Sequence, residues 1–139
     1  MPIGPPMCPL LRRLEALAHD NFSSIELGPD RAFGKDADKV HRTSMPIPGA
    51  KCYIDHDTPG GPVTYSCIWP TSKEVDDQFV SMVKALEKCT GGTADLTNVK
   101  EYEVADVTMT LRGVEYRTSV VNDFLSLDVR TVNQTGVPE

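Results

Sequence analysis

The 139-residue chain holds no run approaching the roughly 18–20 consecutive apolar residues that a membrane-spanning helix requires, so it reads as soluble. Basic residues are in deficit: 14 Lys and Arg stand against 20 Asp and Glu, a net charge of −6. Phosphate binding needs clustered Lys and Arg, which argues against nucleic acid as a partner and equally against an anionic membrane surface. Catalytic signatures are missing too. There is no G-x-S-x-G elbow, no Walker loop, no H-E-x-x-H and no EF-hand spacing. No two cysteines have C-x-x-C spacing, which removes support for a zinc ribbon or a thioredoxin-type redox site. Residues 1–7 have neither the charged start nor the apolar stretch of an export signal, so an exported form would have had its leader removed. What is left is one acidic domain, 1–139, of ordinary globular composition, 40% hydrophobic and 24% charged.

Cysteine, by contrast, is present as an even set: Cys8, Cys52, Cys67 and Cys89, which allow three pairings. Disulfides imply an oxidising compartment. Four buried free thiols in a cytosolic protein are the competing reading, because Cys packs as a small hydrophobe. Turn chemistry bears on the choice. Thr58-Pro59-Gly60-Gly61 separates two strand-like runs, 51–57 and 62–69. With those four residues as the loop, Asp57 faces Pro62, and counting back along both strands brings Cys52 opposite Cys67. Facing residues of an antiparallel pair stand about 4.5–5.5 Å apart at Cα, within reach of a disulfide. Ile54, Val63, Tyr65 and Trp69 share that face, so the pair belongs to the core side.

Two helices flank this hairpin in sequence. Pro9 suits a first helical position, and Leu11, Leu14, Ala18 and Phe22 make one apolar face behind it. Thr71 and Glu74 read as a capping box before a second helix. Its stripe is Val75, Phe79, Met82, Leu86 and Cys89, and Gly91-Gly92 ends it. If Cys52 pairs with Cys67, Cys89 is left with Cys8, and two antiparallel helices on one sheet bring those ends together. Residues 27–51, rich in Gly and Pro, read as a long surface loop with a short edge strand at 39–45. After the second helix comes a three-stranded meander with turns at Arg112-Gly113 and Asn122-Asp123. It puts Val107, Met109, Tyr116, Val120, Leu125, Leu127 and Val129 on one face. Glu115, Arg117, Ser119, Ser126, Asp128 and Arg130 fall on the other. The expected fold is therefore an α+β two-layer sandwich, an antiparallel sheet of five to six strands with two helices on one face, in the order α-(β)-β-β-α-β-β-β. Residues 1–7 and 134–139 are expected to fray.

Candidate chemistry is sparse. Asp55-His56-Asp57 is the most metal-like cluster, but strand alternation sends both carboxylates to one face and His56 to the other. His19 and His41 have no motif around them. Trp69 belongs to the apolar register. Tyr53 lies on the polar register beside Asp55, and with Asp55, Asp57, Arg117 and Arg130 it marks the polar sheet face as one surface for a partner, the 27–51 loop being the other. No cofactor is assigned, and monomer and dimer both stand open.

The landmarks Cys8-Pro9-Leu10-Leu11-Arg12, Asn21-Phe22, Pro48-Gly49-Ala50-Lys51-Cys52, Tyr65-Ser66-Cys67-Ile68-Trp69 and Leu86-Glu87-Lys88-Cys89 resemble a group of small exported bacterial proteins of unknown function. That resemblance covers residues 8–89 and implies export and two disulfides, with no activity attached. The order of elements, the acidity and the size are also similar to type III secretion chaperones, which are cytosolic dimers that bind extended effector segments. A C-terminal strand stands here where such a chaperone has a helix. Three functions follow: an extracytoplasmic, disulfide-stapled binding protein; a cytosolic secretion-chaperone-like or immunity-type protein; or a metal-dependent enzyme or metalloprotein around Asp55, His56 and Asp57.

Overall fold

The computed structural model of the chain describes residues 7–56, 62–70, 74–92 and 105–132. Helix α1 spans Cys8–Ala18 and α2 spans Val75–Thr90. Seven strands, β1 (Glu26–Pro29), β2 (Val40–Thr43), β3 (Lys51–Asp55), β4 (Thr64–Trp69), β5 (Ala105–Leu111), β6 (Val114–Val121) and β7 (Phe124–Thr131), form one sheet. Their spatial order is β1-β2-β3-β4-β7-β6-β5, and each neighbouring pair runs antiparallel. The helices pack on one face of the sheet, chiefly against β5, β6 and β7. This is the expected α+β arrangement, with more strands than the sequence signalled. Among the described residues, no helix is long and apolar enough to cross a membrane.

The hairpin and the meander have the registers that side-chain alternation dictates. Cys52 faces Cys67 across β3 and β4. Met109 faces Tyr116, Thr118 faces Leu127, and Tyr116 faces Val129. The tight turns work because Arg112, Gly113, Asn122 and Asp123 all have positive φ, the left-handed geometry a two-residue hairpin turn demands. The apolar faces then close into one core. Leu11, Leu14, Ala18 and Phe22 from the α1 region meet Phe79, Met82 and Leu86 from α2 over Tyr65, Tyr116, Leu127 and Val129. The Tyr65 ring lies 5.6 Å from that of Phe22, and its hydroxyl donates to the Met45 carbonyl at 2.6 Å. That bond removes the cost of burying a phenol. Trp69 is in the core as well.

Four expectations need correction. The stretch 27–51 is not one loop: it carries β2 and most of β1, separated by a 3-10 segment at Arg31–Asp36 that Asp30 caps by accepting from the Ala32 amide. The composition hid β1 because Gly28 and Pro29 are poor strand formers, tolerated here only because β1 is the outermost strand and its register shifts between Glu26 and Pro29. The strand expected at 39–45 is present as β2 but is internal, paired with both β1 and β3. Helix α2 begins at Val75 with Glu74 in the capping position, later than a cap at Thr71 would start it; Thr71 itself lies outside the described residues. Met7, expected to fray, is 1% exposed and packs in the core at the head of α1. The loop residues 58–61, Asp57 and the tail 134–139 also lie outside the described residues.

Both disulfides expected from the register are present. Cys52–Cys67 links facing strand residues with Cα atoms 4.1 Å apart, and Cys8–Cys89 joins the start of α1 to the end of α2 at 4.9 Å. Among the described cysteines none is free. Loop closure favours the second bond, whose ends are 81 residues apart against 15 for the first. The chain-entropy relation gives about 4.5 kcal/mol and about 3 kcal/mol respectively. Alanine replacement of Cys8 with Cys89 is therefore expected to lower the unfolding free energy more than replacement of Cys52 with Cys67, as urea titration would read. Intact mass should rise by four hydrogens on reduction, and a non-reducing peptide map should return these two pairs and no others.

Candidate functional site

The face of the sheet away from the helices carries a row of polar side chains across its centre. Tyr53 faces Ser66, Ser66 faces Asp128, and Asp128 faces Arg117, so four strands contribute to one line. A second line joins Asp55 to Thr64, and Arg130 to Glu115. Between these lines lies a groove of about 220 Å³ lined by Asp55, Pro62, Thr64, Ser66, Glu115, Arg117, Asp128 and Arg130. The alternation that buries Ile54, Tyr65, Cys67, Tyr116, Leu127 and Val129 on the helix side places their neighbours here.

Charge in the groove is mixed and partly paired. Arg130 Nε donates to Glu115 Oε1 at 3.1 Å, and Arg117 Nε reaches both oxygens of Asp106 at 3.1 Å on the outer strand β5. The Ser66 hydroxyl donates to Asp128 in a short hydrogen bond. Burial raises the Asp128 carboxyl above the ordinary carboxylate value; the Ser66 donor and Arg117 pull it back, and Asp55 pushes it further up. Such a floor offers an acceptor beside guanidinium donors, a combination suited to zwitterionic or mixed-charge ligands.

Of the residues singled out from sequence, the structure brings Asp55, Arg117 and Arg130 together in this groove. Tyr53 stands on the same face, opposite Ser66, but outside the groove lining. The 3-10 segment folds over β3 and sets the Phe33 ring 5.2 Å from that of Tyr53, with Lys51 Nζ 5.5 Å above Phe33. Tyr53 is half-buried as a result, and burial raises its phenol. Glu115 and Asp128 were legible as polar-face residues but not as groove lining, because that depends on β7 pairing with β4, a contact between segments far apart in sequence.

Of the Asp55-His56-Asp57 grouping, Asp55 and His56 point to different faces, and Asp57 lies outside the described residues. Asp55 lies in the groove, whereas His56 turns to the opposite face, where it meets residues from two other strands. His41 stands opposite Ile54, a core residue, and so belongs to the helix side of the sheet. There the Glu26 carboxylate takes His41 Nδ1 on one oxygen and His56 Nε2 on the other, each at 2.7 Å. The two imidazole rings are 4.7 Å apart. Neither Glu26 nor His41 was nominated from sequence. The available signal was a His in a short strand near a second His, but Glu26 joins them only through β1, which the composition masked.

The raised Asp128 carboxyl has a sign that can be checked. A carboxyl raised in the folded state holds its proton more tightly there than in the unfolded chain, so its contribution to stability is lost as pH rises above the ordinary value near 3.8. Asp128→Asn keeps an acceptor for Ser66 and removes the charge. Its urea midpoint, measured relative to wild type, should therefore climb between acidic and neutral pH. A relative midpoint that falls over the same range would reverse the assignment.

Compared with known proteins, the chain matches no family model, no curated protein and no solved structure, so its function has to be argued from these side chains.

Proposed function

We propose that this chain is an extracytoplasmic binding protein, acting without catalysis, whose polar sheet face takes a small zwitterionic ligand or a mixed-charge segment of a partner. Two disulfides fit an oxidised, extracytoplasmic protein. The resemblance to small exported bacterial proteins points the same way, and the reduced thiols of a cytosolic chaperone-like protein do not. The observation that carries the binding role is the groove. It sets Arg117 and Arg130 beside Asp55, Asp128 and Glu115 on the sheet face that the helices leave uncovered.

The physical case rests on rigidity. Asp55, Ser66, Asp128, Arg130, Glu115 and Arg117 project from four hydrogen-bonded strands, β3, β4, β7 and β6, and hold their spacing without help from a ligand. Groups fixed in advance lose little entropy on binding, which is how a small polar surface reaches useful affinity. The existing Arg130–Glu115 and Arg117–Asp106 contacts are exposed pairs, individually worth about 0–1 kcal/mol, so an incoming carboxylate or ammonium can exchange with them at low cost.

A thermal-shift screen of free amino acids, dipeptides and polyamines against the oxidised protein tests this reading. At least one mixed-charge probe should raise the melting temperature, and the gain should vanish in the Arg117→Ala, Arg130→Ala double variant. A shift of equal size in the double variant, or none with any probe, would remove the groove as the binding surface.

A further inference from the structure

Independent of the groove, on the other face of the sheet, Glu26, His41 and His56 gather three donor atoms at the margin formed by β1, β2 and the end of β3. One oxygen or nitrogen from each lies within 4.8 Å of the others. Their side chains are 22%, 21% and 33% exposed, so the cluster is neither buried in the core nor free in solvent. We propose that these three residues bind one divalent transition-metal ion of the zinc class, with a further coordination position open to solvent.

The donor set comes first. Two imidazoles and one carboxylate form a recurrent protein ligand set for zinc, with a remaining position left for water or an incoming ligand. Imidazole donors select zinc, nickel and copper over magnesium and calcium, which prefer oxygen alone. In a tetrahedral site with bonds of about 2.0–2.2 Å, neighbouring donors stand about 3.4 Å apart. With Glu26 ligating through one oxygen, its 2.7 Å contact to one imidazole would open by less than about 1 Å, and the second imidazole nitrogen, inside the 4.8 Å span of the three donors, would close by at most about 1.4 Å. Glu26 can move that far, because it heads a short outermost strand whose pairing with β2 is already irregular.

The proton count at His41 supplies the second argument. Its Nε2 lies 3.1 Å from the backbone carbonyl of Asp38, which can only accept, so Nε2 carries a hydrogen. In the neutral ring that leaves Nδ1 with a lone pair, aimed at a carboxylate oxygen 2.7 Å away. Two acceptors in contact are repulsive unless a cation stands between them. Either a second proton or a metal ion meets that need. A carbonyl on the far ring nitrogen is also the outer-shell partner that metal-binding histidines commonly use to fix ring orientation and tautomer. His56 presents Nε2 to the second oxygen of the same carboxylate, so one ion replaces both contacts at once.

The test uses the full oxidised chain, stripped with chelator and dialysed against Zn²⁺ near neutral pH. One equivalent should be retained. Long-range imidazole nitrogen spectra of the wild type should then show shifts at His41 and His56 and none at His19, which is exposed beyond the end of α1. Glu26→Gln, His41→Gln and His56→Gln should each weaken zinc binding at least about tenfold, with His19→Gln unchanged. If His41→Gln fails to fold, the wild-type spectra decide alone. Sub-stoichiometric zinc, full affinity in a folded His41→Gln, or a response confined to His19 would overturn the proposal and leave the cluster as a proton-bridged ion pair.

Discussion

The register of β3 against β4 is the constraint on which both candidate sites depend. It is pinned where Cys52 faces Cys67 and is bonded to it. Strand side chains alternate with a period of two, so a slip of one residue moves every group to the opposite face. Here the slip would bury Asp55 and withdraw His56 from Glu26 and His41. It would also turn Ile54 out of the core, where it is fully buried. Loss of that burial alone costs roughly 1.5–3 kcal/mol, so the hydrophobic pattern and the disulfide select the same register. A covalent bond across facing residues makes that selection permanent once folding has found it.

β4 carries this order into the rest of the sheet. It lies between β3 and β7, and its polar residue Ser66 is hydrogen-bonded to Asp128 on β7 while Tyr65 and Cys67 are sealed in the core. The meander then extends the same alternation through β6 to β5. Thr118 shows how strictly the sides are kept. Placed by register among core residues, it is buried, and its hydroxyl donates to the Ser126 carbonyl at 2.8 Å, so no donor is stranded. At the sheet's other end, Arg112 Nε and a second guanidinium nitrogen reach the two oxygens of Glu15, at 2.7 and 3.1 Å. The same guanidinium lies 3.4 Å from the Thr90 carbonyl, so the β5–β6 turn holds α1 and the end of α2 together.

Much of this was legible from residue order, for a definable reason. The hairpin and meander join strands adjacent in sequence, where turn chemistry fixes the register and alternation fixes the faces. The pairs Cys52–Cys67, Met109–Tyr116 and Thr118–Leu127 follow from counting alone. The stripe of α2 and its glycine stop at Gly91, which has φ of 85°, follow from helical period and the left-handed cap. What did not follow was everything resting on β1 and on the meeting of β4 with β7. Glu-Leu-Gly-Pro has no strand propensity to announce β1, and its place is set by pairing with β2 instead. Hence Glu26 and His41 were invisible as partners of His56, while Arg117, Arg130 and Asp55 were visible as polar residues without a groove to define.

The sheet is supported unevenly, and this asymmetry gives the Glu26 cluster its structural weight. α1 and α2 press chiefly on β5, β6 and β7. The β1–β3 side is held by smaller means: Ile25, Ile47 and Ile54 packed near Phe22 and Tyr65, the Tyr65 hydroxyl on Met45, and backbone bonds such as Asp30 to Val40 and His56 to Lys39. Strands so short and so lightly covered open at modest cost unless something spans them. Glu26 reaches His41 on the neighbouring strand and His56 beyond it, so a single carboxylate crosses three strands where helix cover is least. The Glu26 carboxylate therefore fastens β1 to the end of β3. Asp55, the residue before His56, is thereby held at the groove on the opposite face.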